Sequence, residues 1–159
     1  MVSHAVARSE SGHGRRLSLS VQYAVHADGL PSRASVRHWV RAVCGGAAQV
    51  AVRFVAEQEG RALNRAYRGK DYATNVLSFA YSAEPLLTGD LVVCAPVAMR
   101  EAAGRGKPAD AHFAHLIVHG MLHLQGYDHE VEADAAVMEL RERIILSGLG
   151  YPDPYEGER

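Results

Sequence analysis

Five of the nine histidines in this 159-residue chain lie between His112 and His129. The densest stretch reads His119-Gly-Met-Leu-His123-Leu-Gln-Gly126-Tyr-Asp-His129. His119 and His123 are four residues apart in a helical pattern. That is about one turn, so both imidazoles leave one face. Gly126 can take a left-handed conformation without a Cβ clash, which ends the helix and turns the chain back. The reversed chain can carry His129 to the same point. Three neutral ring nitrogens converging there form a metal site with an open position. Zinc favours imidazole and accepts four-coordination, so one Zn2+ per chain is expected. A lone histidine on a helix usually has no such role, and a pair recurs by chance in a His-rich segment. The third histidine, behind a helix-ending glycine, sets this run apart.

Three neutral imidazoles leave the dipositive charge of an ion uncompensated. Such a centre attracts anions, polarises phosphoryl oxygens and lowers the pKa of bound water to about 7. Phosphodiester cleavage is a natural use. The spacing H-x3-H-x2-G-x2-H is also that of metzincin proteases, which carry Glu directly after the first His as general base. Here that position is Gly120. A residue without a side chain takes no proton, so the ligand pattern is kept and the peptide-cleaving base is gone.

Other residues could serve such a centre. Arg61, Arg65 and Arg68 fall at i, i+4 and i+7, one helical face, and Lys70 follows. This stripe could hold a polyanion, or be a solvated helix face. Asp128 neighbours a predicted ligand and could hold an imidazole, accept a proton or cap a turn. His112 and His115 continue the face of His119 and are expected not to be ligands. Cys44 and Cys94 are expected as buried thiols and Trp39 as core.

The elements that must position these groups follow from periodicity. Leu17, Leu19, Val21 and Tyr23 alternate with polar residues, as in a half-buried strand. Pro31-Ser32 opens a helix with Val36, Trp39, Val40 and Val43 on one face, closed by Gly45-Gly46. Val50, Val52 and Phe54 read as a second strand. A short helix is predicted from about 57 to 67, and a loop from Arg68 to Asn75. Val76 to Tyr81 and Asp90 to Cys94 read as a hairpin, hence an antiparallel pair. Three helical segments follow: one ending near Gly104, one over 108–124 and one over roughly 131–146. The pattern predicts an α+β fold: a single domain with a small mixed sheet of about four strands packed with helices, the metal ligands on a metzincin-like helix.

Composition narrows the function classes. Apolar residues make up 48% and charged residues 22%, near the globular average, which excludes wholesale disorder. No apolar run reaches the ~18 residues of a membrane span. Residues 1–16 are polar, read as a flexible tail and do not resemble a secretory leader. Two cysteines argue against a disulfide-stapled secreted scaffold, so no disulfide-linked partner is expected and a reducing cytoplasm is the default. Seventeen basic against 18 acidic side chains give a net charge of -1. A globally basic nucleic-acid binder is excluded, and any such contact needs a local patch.

The chain resembles the YbeY family of bacterial metal-dependent endoribonucleases over about residues 17–155. The resemblance rests on the histidine run at 119–129, on Leu63-Asn-Arg-Ala-Tyr-Arg-Gly-Lys-Asp71 and on Thr74-Asn-Val-Leu-Ser-Phe79. Gly89-Asp-Leu-Val-Val-Cys94, Met138-Glu139 and Pro154-Tyr155 agree with it. It implies a zinc-dependent, single-strand-specific endoribonuclease acting in small-subunit rRNA 3′-end processing and ribosome quality control. His119, His123 and His129 would be the metal ligands and catalytic residues, with Arg68 the functional arginine. RNA and the small ribosomal subunit would be its partners, with Arg61, Arg65 and Lys70 as further substrate contacts. Ala73 and Asn75 stand where the family usually has Pro and Asp. Two rivals stand beside this reading. One is a metal-dependent protease or other hydrolase; the other is a non-enzymatic ribosome-assembly factor with a structural metal.

Overall fold

A computed structural model describes residues 16–156 of the chain. The elements run β1 (Leu17–Tyr23), α1 (Arg33–Val43), β2 (Ala48–Val55), α2 (Glu57–Arg68), β3 (Val76–Ser82), β4 (Leu87–Cys94), α3 (Ala95–Gly104), α4 (Ala109–Leu124) and α5 (Glu132–Gly148). The sheet order is β1-β2-β4-β3. β1 and β4 both pair with β2 in parallel, and β3 closes the edge antiparallel to β4. This is the α+β arrangement with a four-stranded mixed sheet that the periodicity predicts.

β2 and β4 read as nearly unbroken apolar runs because they are central and covered on both faces. On one face Val52, Phe54, Leu91 and Val93 pack with α1 and α4 residues such as Trp39, Phe113 and Ile117. On the other, Val55, Leu77, Val92 and Cys94 pack against Leu63 of α2. Ser32 caps α1 by accepting from the Ser35 N–H at 3.1 Å. Such a cap satisfies a donor the helix itself cannot.

The structure moves some predicted boundaries. Arg68 is the last residue of α2 and not the first of the loop, because Gly69 takes the left-handed conformation (φ 70°) that stops the helix. β4 begins at Leu87, earlier than its apolar core suggests, because Leu87 pairs with Ala48 of β2. Cys94 is buried as expected, but Cys44 is only half-buried, at the cap position following α1. Of the tail expected at 1–16, residues 1–15 lie outside the described residues.

α4 is the hub of the helical layer. It contacts α1, α3, α5, β3 and β4. A Cβ on Gly120 would lie 2.9 Å from Leu91 Cδ2, so α4 lies close to β4 at this residue. Ser78 Oγ of β3 donates to the Gly120 carbonyl at 3.3 Å. No helix among the described residues is long and apolar enough to cross a membrane.

Candidate metal centre

α4 ends in a Schellman motif. Gly126 has φ 100°, its N–H donates to the His123 carbonyl at 3.0 Å, and the Tyr127 N–H donates to Leu122 at 3.1 Å. The chain doubles back at once. Asp128 then receives the N–H groups of His129 (2.7 Å) and Glu130 (3.3 Å) on one oxygen, a side-chain turn that holds the reversed segment.

These two devices bring three imidazoles together. The ring centroids are 4.7 Å apart for His119–His123, 5.2 Å for His119–His129 and 4.8 Å for His123–His129. His119 Nε2 and His123 Nε2 face each other at 3.1 Å. One ring nitrogen from each of the three residues lies within 4.8 Å of the others. Burial, and after it the neighbouring His119 and His129, lowers the pKa of His123. That favours the neutral, ligating form of the ring.

Behind His119 stands Glu142, fully buried on α5. Its Oε2 is 3.2 Å from His119 Nδ1 and 2.7 Å from His115 Nε2, and its Oε1 accepts from the Tyr155 hydroxyl at 2.6 Å. Burial alone would push this carboxyl up, but the hydrogen bonds of His115 and His119 outweigh it and hold it at about 2. His115, His119 and Glu142 also have potential ligand atoms within 4.8 Å of one another. That second cluster is knit by its own hydrogen bonds, and its carboxylate already has three partners. The three-histidine cluster opens instead onto a cleft of about 730 Å³. Nitrogen donors alone, two of them facing across 3.1 Å, fit a borderline-soft dication such as Zn2+.

The cleft runs along β3. Arg68, Asn75, Ser78, Phe79 and the three histidines contribute to its walls. Of the predicted cationic stripe, Arg68 reaches this cleft, while Arg61, Arg65 and Lys70 do not line it. Arg61 is held by both oxygens of Asp71, at 2.9 and 3.0 Å. Asp128 lines the cleft, but its bonds go to the turn, and its oxygen is 3.9 Å from His129 Nδ1. His112 is buried and pairs with Glu101 at 2.9 Å. Burial, opposed by Glu101, lowers its pKa.

A family model described as Endoribonuclease YbeY matches residues 31–150. The chain belongs to this family. It is 57% identical over 143 residues to the Endoribonuclease YbeY of Aromatoleum aromaticum, spanning 88% of this chain and 93% of that protein. The Methylobacillus flagellatus Endoribonuclease YbeY is 51% identical over 144 residues, spanning 91% and 97%. A solution structure of TM1509 from Thermotoga maritima aligns at a TM-score of 0.48 and 22% identity, over 89% of this chain and 99% of that one.

The residue that sequence reasoning missed is Glu142. The signal was there: Met138, Glu142, Ile145 and Leu146 form the buried stripe of α5. A carboxylate in an apolar stripe needs a buried partner, and the histidine-rich helix is the source of one.

Proposed function

We propose that the chain is a zinc-dependent endoribonuclease that cleaves single-stranded RNA during rRNA maturation. Small-subunit rRNA 3′-end processing and ribosome quality control, in the cytoplasm, are the roles that membership of the YbeY family supports. The observation that carries the reading is the convergence of three imidazoles in a cleft that also holds Arg68.

His119, His123 and His129 would hold the ion. A dication bound there supplies Lewis-acid polarisation of a phosphoryl oxygen and acidifies water. Arg68 binds the scissile phosphate and stabilises the negative charge that grows on it. The planar guanidinium suits two phosphate oxygens at once. The cleft follows β3 lengthwise, so an extended strand of RNA can lie along it. Arg65 and Lys70, beyond the cleft, would add phosphate contacts that set affinity more than chemistry.

The protease alternative finds no general base at position 120. Gly120 lies against Leu91, and even a Cβ there would meet its side chain. The assembly-factor alternative makes the ion structural, yet the apolar core lies on both faces of the sheet, apart from the three histidines. The test is cleavage of single-stranded RNA beside casein, with and without chelator. RNA cleavage that stops with chelator and returns with Zn2+ is the expected result. Cleavage of casein alone, or of neither, would refute the proposal.

A further inference from the structure

The Glu142 carboxylate has three side-chain hydrogen-bond partners, and its bonds dictate a tautomer. An ionised carboxylate only accepts hydrogen bonds. The 3.2 Å contact from His119 Nδ1 therefore puts the ring proton on Nδ1. Nε2 of His119 is left with its lone pair, facing His123 Nε2 at 3.1 Å. His115 braces the same oxygen at 2.7 Å, so the carboxylate cannot swing away from His119.

The other oxygen is claimed by the C-terminal segment. α5 ends in its own Schellman turn: Gly150 has φ 91° and the Tyr151 N–H donates to Leu146 at 2.9 Å. The chain reverses and returns Tyr155 to Glu142 Oε1 at 2.6 Å. Further contacts fasten this return. Arg143 Nε reaches both oxygens of Asp153 at 3.2 Å. Lys107 Nζ donates to the Pro154 carbonyl at 2.6 Å. The Tyr155 ring lies edge-on to His115, at 5.4 Å between centroids.

We propose that Glu142, locked by Tyr155 and His115, is the positioning residue of the metal centre: it fixes the His119 ring and keeps its Nε2 free to ligate. The proposal rests on the three-histidine reading of the site. A carboxylate behind a ligating imidazole sets ring orientation and raises ligand basicity, and its loss typically weakens metal affinity ten- to hundredfold. The C-terminal segment is thereby part of the centre, although none of its described residues belongs to the three-histidine cluster.

The first test needs no metal and no variant. Nitrogen-15 spectra of the metal-free protein at mildly alkaline pH should show His119 protonated at Nδ1; protonation at Nε2 would overturn the proposal. Zinc competition against a chromophoric chelator then gives the affinity. Glu142→Gln is expected to bind Zn2+ about ten- to hundredfold more weakly than wild type, and Tyr155→Phe a few-fold more weakly. Arg141→Gln, exposed on the same helix, is the control and should match wild type. Wild-type affinity in a folded Glu142→Gln protein would overturn the proposal. If that variant does not fold, the tautomer and the Tyr155→Phe affinity decide, unchanged affinity counting against the lock. Failure of the wild type itself to bind Zn2+ would instead overturn the metal-centre reading.

Discussion

Asn75 donates through its side-chain nitrogen to both carboxylate oxygens of Glu101, at 3.1 and 3.3 Å. Glu101 also pairs with His112 at 2.9 Å. The position where the family usually carries Asp thus holds, in this chain, a donor matched to an acceptor. Asn75 also accepts the Val76 N–H at 2.7 Å, which sets the start of β3 and hence one wall of the cleft.

Asn75→Asp would set two carboxylates face to face. The expected cost is about 1 kcal/mol, at the low end for an unpaired polar group because Glu101 is partly exposed. Repulsion raises the pKa of a carboxyl in the folded state. The destabilisation should therefore be small in acid and grow as pH rises through the carboxylate range. Thermal melts of both proteins across that range check this; a difference independent of pH would contradict it.

Arg68→Glu should abolish RNA cleavage while zinc content stays at the wild-type value. Arg68→Ala should lower the rate by about 10²–10³, the usual loss for a group that stabilises transition-state charge. Arg61→Ala should change cleavage no more than a few-fold, because Asp71 already occupies its guanidinium. Single-turnover rates with metal analysis separate the three variants, and equal effects at 61 and 68 would refute the assignment.

Metal removal should stop cleavage and leave the fold in place. The two apolar layers of the sheet do not include the three histidines, and a core this size does not need a metal staple. His123→Ala should accordingly be folded, inactive and deficient in Zn2+. Circular dichroism and sedimentation read the fold. An unfolded His123→Ala protein would favour the structural-metal alternative.

His112 predicts an acid-side loss of stability. Its folded pKa lies below the ordinary value because it is buried. The unfolded chain then binds more protons in the interval between the two values. Stability is complete above about pH 6.5 and is lost as pH falls below it. His112→Gln should flatten this part of the curve in the metal-free protein. Melting temperatures from neutral pH down to about pH 5 would show it, and identical slopes would refute it.

The local elements were legible wherever one short-range cause acted alone. Val36, Trp39, Val40 and Val43 predict α1 and all four are buried. Arg68 goes the other way: the sequence places it at the start of a loop, yet it ends α2. The left-handed Gly69 takes the break one residue later. The charged stripe divides for a related reason: of its residues, Arg68 alone lines the cleft. Helical spacing places Arg61, Arg65 and Arg68 on one face, but the loop after α2 folds back and gives Arg61 an acid to bind.

The order of residues by itself determined the convergence of the histidine triad. A four-residue spacing puts two imidazoles on one helical face, and a glycine that tolerates positive φ returns the third; both constraints act within a dozen residues. Tertiary structure alone decided what stands behind and across from that triad. Glu142 and Tyr155 reach His119 and its neighbour only because α5 packs on α4 and the chain reverses after Gly150. Arg68 joins the same cleft only because β3 forms the sheet edge between α2 and α4. Contacts of that kind come from the burial of apolar faces far apart in sequence, and no local spacing records them.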